Sequence, residues 1–365
     1  MSNINDYLDW RGDLSFDVSP LNEVDGMILS RISYLPFTEI KMKEQDTIEN
    51  VMKKIVEVDE KEFNIEGDVL LAQKLLKSKR FNKIILSDFV IDNDEDAEKQ
   101  FSAVTLHLPS GDLYISYCGT DNSLVGWKED FNLSFMDHIP AQLDGVRYLK
   151  NIAKKYKGRI YLGGHSKGGN VAVFSGAYAG KTLQKRIIQV TNHDGPGFVE
   201  NVTNSEEYKS ILDKVRTYIP QDSIIGRLME HSEKYQVVYS VEKGVMQHDI
   251  YSWQVLGTKI IKEKKVTNGS EFINDTITEW VKSVPPKERK KFIGVIYSLI
   301  ESTNAKTCKE FSKSKIRNLN KMLKSYKNID EDDKKMISQI MKLLIASAKD
   351  SLKHNYNQTS QASQA

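Results

Sequence analysis

Cysteine is nearly absent from this chain: there are two in 365 residues, Cys118 and Cys308, far apart in sequence. A disulfide scaffold is excluded, and both are expected to remain thiols. Eight prolines and 21 glycines are too few for a collagen-like or low-complexity chain. No apolar run approaches the roughly 20 residues that cross a bilayer. The opening stretch, Met1 to Phe16, lacks the basic start and apolar core of a secretory signal. A cytoplasmic location is the expectation. Also missing is an overall excess of one charge, since 52 Lys and Arg stand against 50 Asp and Glu.

The chain is 39% hydrophobic and 28% charged, the balance of a soluble protein that buries a core. Its near-neutral total hides a gradient. Residues 261–365 hold 21 Lys and Arg against 12 Asp and Glu, a net +9, which leaves 31 against 38, a net −7, for residues 1–260. Asymmetry of this kind marks an appended segment with its own surface.

The pattern along the chain agrees with that division. Residues 1–80 read as mainly helical, with Asn22 leading into Met27, Ile28, Ile32 and Leu35 at helical spacing, and Asp68 placed to cap a helix through Leu71 and Leu75. Alternation over Ser102–Leu108, a turn at Pro109–Asp112, and Leu113–Cys118 predict a hairpin that opens the sheet. A helix over Gln142–Tyr156, a strand at Ile160–Leu162, a small-residue helix over Gly169–Tyr178, and strands near 186–191, 215–219 and 236–240 follow. Strand and helix alternating at this spacing imply parallel crossovers in an α/β sheet. Beyond about residue 265 only amphipathic, Lys-rich helical patterns remain. The expected organisation is an N-terminal helical segment (1–90) packed on or capping the core, an α/β core with a mostly parallel central sheet (91–262), a basic helical module (263–354) and a disordered tail (355–365).

Gly164-His165-Ser166-Lys167-Gly168 carries the chemistry. It fits G-x-S-x-G, the nucleophile elbow, in which a strained turn between strand and helix exposes a serine and only small neighbours permit the close backbone approach. The apolar strand before it and the small-residue helix after it are the context that the motif requires.

A serine hydroxyl needs a base, and in this fold the order is serine, acid, histidine, which restricts the base to His231, His248 or His354. His248, in a loop after the last strand, is the choice. The acid then lies between Ser166 and His248 at a strand end. Asp222 after the 215–219 strand leads, because it is one strand closer to the histidine loop, and Asp194 after the preceding strand stays as the alternative. For the oxyanion, the backbone N–H of Lys167 and the loop Gly119-Thr120-Asp121-Asn122, including the Thr120 hydroxyl, are the candidate donors.

These residues resemble the class 3 lipase group of α/β-hydrolases. The likeness rests on a strand ending in Gly119-Thr120-Asp121, a W-x-x-D segment from Trp127 to Asp130, and the G-H-S-x-G-G elbow from Gly164 to Gly169. It extends to a bacterial group of cytoplasmic lipase-like proteins through the segment Asp6 to Asp13, through Asp194-Gly195-Pro196-Gly197-Phe198, and through Gln247-His248-Asp249 before Trp253, covering about residues 1–260. The resemblance implies Ser166 as nucleophile, Asp222 as acid, His248 as base, and Thr120 with Lys167 in the oxyanion hole. It implies ester hydrolysis without metal or cofactor. The chain departs from that class at Cys118, where arginine is common.

The functional expectation is a serine esterase acting on a small-molecule or lipid ester through an acyl-enzyme. The alternative is a binding or regulatory protein on a hydrolase fold whose site has decayed. Residues 36–80 and 121–140 are candidate caps, the second offering Leu124, Val125, Trp127, Phe131, Leu133, Phe135, Met136 and Ile139 as an acyl lining. The cations Lys313, Lys315, Arg317, Lys321, Lys324 and Lys327 suit peripheral contact with anionic membranes, and the scarcity of aromatics among them argues against nucleic acid.

Overall fold

The computed structural model describes residues 2–121, 124–305 and 314–362. Eight strands join in one sheet in sequential order: β1 (Gln45–Thr47), β2 (Ile85–Asp94), β3 (Lys99–His107), β4 (Leu113–Tyr117), β5 (Ile160–His165), β6 (Ile187–His193), β7 (Val215–Pro220) and β8 (Tyr235–Val238). The first four are antiparallel neighbours, and β4 through β8 run parallel. This is an α/β-hydrolase fold with a mostly parallel centre.

The expected hairpin is present as β3 and β4, but the sheet starts earlier than the sequence suggested. β2 straddles residue 90, where a helical segment was expected to end, and pairs with β3 from Ile85 opposite His107 to Asp94 opposite Lys99. Its pattern is hard to read because the register shifts between Ser87 and Val90, with Asp88 at φ 53°. A bulge of this kind breaks the alternation by which a strand is recognised.

Sequential strand order has a packing consequence. Right-handed crossovers taken always in the same direction lay their helices on one face of the sheet. On that face α6 (Pro140–Lys155) and α7 (Lys167–Ala177) bury Val146, Leu149, Val171 and Phe174 with Ile115, Ile160, Leu162 and Val190. The other face, carrying Leu86, Val104, Leu106, Tyr114 and Tyr218, is covered by α1 (Ile4–Arg11), α2 (Glu23–Ile32), α3 (Ile48–Ile55) and α4 (Glu66–Lys77). Capping boxes at Asn3 with Asp6 and at Asn22 with Asp25 start the first two helices. Asp68, expected as a helix cap, is instead inside α4, where it pairs with Arg31 at 2.6 Å and accepts from the Tyr251 hydroxyl at 2.8 Å. Residues 36–80 thus belong mainly to this buried layer.

Between β4 and β5 lies α5 (Leu124–Asn132), within the second candidate cap. The side chains of Leu124, Val125 and Trp127 lie outside the described residues, as do Asn122, Cys308 and Lys313. Short helices α8 (Lys181–Gln184), α9 (Glu200–Thr203) and α10 (Glu206–Lys209) connect β5 through β7. The C-terminal module comprises α11 (Asn268–Ser283), α12 (Pro286–Glu301), α13 (Lys315–Asn328) and α14 (Glu331–Ala362) around Trp280, Val284, Met336 and Ile340. α14 continues to Ala362, into the 355–365 stretch expected as a disordered tail, of which 363–365 lie outside the described residues. The module meets the α5 segment directly: Lys128 Nζ lies 4.2 Å from the centre of the Tyr297 ring, and Arg289 donates to the Ser134 carbonyl. Among the described residues no helix is long and apolar enough to cross a membrane.

Candidate active site

β5 ends and α7 begins within one residue, so the chain must turn sharply at Ser166. It does so at φ 58° and ψ −136°, a conformation that costs a non-glycine residue about 1–3 kcal/mol. The flanking glycines make the turn possible. A Cβ on Gly164 would lie 2.2 Å from the Gly168 backbone, and one on Gly168 would lie 2.2 Å from the Tyr117 carbonyl.

His248 closes the short turn Gly244–His248 and reaches the elbow. Its Nδ1 is 2.7 Å from Asp194 Oδ2. A carboxylate only accepts, so Nδ1 carries the proton of this hydrogen bond. Asp194 itself is fully buried at φ 52°, directly after β6, and its Oδ1 accepts from the Ser223 hydroxyl at 2.5 Å and the Gly226 N–H at 3.1 Å. Three donors on one buried carboxylate leave it little freedom.

The expectation that Asp222 leads is corrected by this geometry. Asp222 turns its carboxylate to Thr267 Oγ1 at 2.5 Å, to the Gly244 N–H at 3.1 Å and to Gln247 Nε2 at 3.3 Å. It braces the turn that carries His248 and does not touch the imidazole. Counting strands toward the histidine loop misled, because the relevant neighbour is the strand that leads into Ser166. β6 pairs directly with β5, so a carboxylate at its end stands beside the elbow.

The sequence reading missed His165, the variable residue of the elbow motif. Its Nε2 donates to the His248 carbonyl at 2.7 Å, and the two rings lie 4.6 Å apart. Burial, with the neighbouring His248 second, depresses its basicity well below the usual histidine range, so the ring is neutral with its proton on Nε2. The Tyr34 hydroxyl, from the N-terminal layer, donates to the His165 carbonyl at 2.9 Å.

Lys167 is the first residue of α7, and its N–H is one of the donors a helix start leaves unpaired. Its side chain goes elsewhere. The ammonium is buried at 2.8 Å from Glu129 Oε2, 2.6 Å from Gln100 Oε1 and 3.1 Å from the Gln100 carbonyl. Burial works against that charge, but Glu129 and Asp130 outweigh it and raise the lysine above its ordinary value. Glu129 also accepts from the N–H groups of Gln100 and Ala141. The loop of the second candidate donor lies against Ser166, since a Cβ on Gly119 would come within 3.1 Å of Ser166 Cβ. Thr120 Oγ1 donates to Asp130 Oδ2 at 2.5 Å. Burial pushes the Asp130 carboxyl up to about 6, against the pull of Lys167 and Thr120.

Among the described residues no group of three or more His, Cys, Asp or Glu side chains could hold a metal ion. Cys118 is buried, which pushes its thiol up to about 12, a packing residue and not a nucleophile.

The Mbeg1-like family matches residues 75–298, well over half of the chain. The chain belongs to the Mbeg1-like family. That family is lipase-like, and the match spans the elbow, Asp194 and His248 of this Mbeg1-like protein. A crystal structure of M37 lipase is similar at 16% identity and a TM-score of 0.35, covering 55% of this chain and 68% of the lipase. A Plasmodium falciparum (isolate 3D7) protein, PFC0760c, is 22% identical over 317 residues. That match takes in 84% of this chain but only 8% of the longer protein.

Proposed function

We propose that this Mbeg1-like protein is a serine hydrolase of carboxylic esters, with Ser166 as nucleophile, His248 as general base and Asp194 as the acid that orients it. The observation that carries the reading is the His248–Asp194 hydrogen bond of 2.7 Å beside a serine held at φ 58° in a strand-to-helix turn. In the proposed reaction Nε2 of His248 takes the Ser166 proton as Oγ adds to the acyl carbonyl. The N–H groups of Lys167 and Thr120 meet the oxygen as its charge grows. His248 returns the proton to the leaving alcohol, and water then releases the acid from the acyl-enzyme by the same steps.

The substrate class proposed is a lipid or other acyl ester, because the segment over the site supplies apolar residues. Leu133 and Ile139 of that segment are already buried in the core and Met136 packs against it, whereas Phe131 is 49% exposed and Phe135 half-buried, which leaves these two available to an acyl chain. A fluorophosphonate probe tests the chemistry: labelling of the wild type and loss of labelling in Ser166→Ala are expected. A panel of esters of increasing acyl length, run on both proteins, tests the substrate. Absence of labelling in folded protein would leave the hydrolase fold as a binding or regulatory scaffold.

A further inference from the structure

α13 is unlike the other helices of the C-terminal module. Its 14 residues, Lys315 to Asn328, contain five Lys or Arg and no Asp or Glu. Its apolar residues also point the wrong way for a core. Ile316 is 80% exposed, Leu319 56% and Leu323 52%, and at spacings of three and four they line one stripe along the helix. The side turned inward is largely polar: Asn318 is buried, with Met322 half-buried beside it, and Lys321 Nζ reaches back to the Thr303 carbonyl at 2.8 Å.

The remaining cations complete the pattern. At 100° per residue, Lys327, Lys324 and Arg317, all exposed, follow directly beside the stripe, and Tyr326, half-buried, borders it on the other side. An exposed apolar stripe edged by cations, with an aromatic at its margin, is the arrangement of a helix that lies in a bilayer interface. The charge also selects the occupant. A helix with no acidic residue, in a segment that carries a net +9 over 261–365, attracts a polyanionic surface. A second copy of this chain would bring the same cations against one another. Three side chains also cover far less than the roughly 800 Å² per partner that a specific dimer buries.

We propose that α13 docks this protein on anionic lipid, with Ile316, Leu319 and Leu323 entering the acyl boundary and Arg317, Lys324 and Lys327 meeting the headgroups. This does not rest on the esterase reading and holds for an inactive scaffold equally.

The test is sedimentation of the full chain with vesicles of pure phosphatidylcholine or of phosphatidylcholine containing phosphatidylglycerol. Binding only to the anionic vesicles, weakened by added salt, is expected. The triple variant Arg317→Gln/Lys324→Gln/Lys327→Gln should bind about a hundredfold more weakly, from about fivefold for each cation. Leu319→Glu/Leu323→Glu should abolish binding while circular dichroism and thermal unfolding stay as in the wild type, since both residues are exposed. The proposal is overturned if the protein ignores anionic vesicles, or if either variant binds as the wild type does. It is equally overturned if ultracentrifugation shows a dimer that the Leu319→Glu/Leu323→Glu variant dissolves.

Discussion

Replacing Asp194 by Asn changes one atom at the centre of the proposed triad, and the surroundings dictate which way the amide turns. Oδ1 of Asp194 accepts from the Ser223 hydroxyl and the Gly226 N–H. In Asp194→Asn the amide oxygen must stay on those two donors, so the NH2 group faces His248 Nδ1. Two donors cannot share that 2.7 Å contact, and the imidazole moves its proton to Nε2, the nitrogen that must take the serine proton. A triad locked in the wrong tautomer loses about 10⁴ in kcat, or about 5.5 kcal/mol of transition-state stabilisation. KM should barely move. Asp222→Asn is the control, because its carboxylate holds Gly244, Gln247 and Thr267 and not the imidazole. It should cost about 1–2 kcal/mol of stability and keep kcat within about threefold. Both variants are measured on one chromogenic ester with active sites counted by fluorophosphonate titration. Full turnover in Asp194→Asn, or its loss in a folded Asp222→Asn, would refute the assignment of the acid.

Further outcomes follow from the same geometry. Lys167→Met strands the Glu129 carboxylate in the interior and should destabilise the fold by about 3–5 kcal/mol, whereas Lys167→Met/Glu129→Gln recovers most of that. Urea midpoints at constant slope decide it, and equal destabilisation of both variants would mean that Glu129 carries no charge there. His193 is fully buried between Tyr218 and Trp253, and burial lowers it from 6.5 to about 3. The folded state therefore binds fewer protons than the unfolded state below pH 6.5. The stability this group leaves intact at neutral pH is lost as pH falls from there toward its folded value, by about 2 kcal/mol at about pH 5. His193→Phe should flatten that acid limb in denaturation curves taken at several pH values, and an unchanged slope counts against it. His165→Phe keeps a ring but removes the donor to the His248 carbonyl. A loss of about tenfold in kcat with KM unchanged is expected, and an unaltered kcat would show that the histidine turn holds itself.

What was legible in the sequence was local. The elbow, its strand and its small-residue helix lie within 18 residues, Ile160 to Ala177, and each was readable from neighbours in sequence. The long C-terminal helices were readable for the same reason. What was not legible depends on adjacency across the sheet. Asp194 and Asp222 both follow strands, and only the pairing of β6 with β5 decides which one stands beside Ser166. One local sign did point to Asp194: the Asp194-Gly195 pair before Pro196 suits the left-handed turn at φ 52° that aims the carboxylate back at the elbow. The bulge at Ser87–Val90 hid β2. His165 fell in the position the motif leaves open, so nothing in the pattern drew notice to it.

Lys167 shows how the site and the segment over it are joined. Its N–H is a candidate oxyanion donor, while its ammonium, at the other end of the residue, is fixed to Glu129 on α5. The next residue on α5, Asp130, holds the hydroxyl of Thr120, the other donor candidate. One dipeptide of the cap therefore braces both halves of the proposed oxyanion hole, and any displacement of α5 withdraws support from both together. From outside, α12 leans on the same segment through Lys128 over Tyr297 and Arg289 on the Ser134 carbonyl. Through α12 the basic module therefore contacts the same segment that braces both donors of the proposed oxyanion hole.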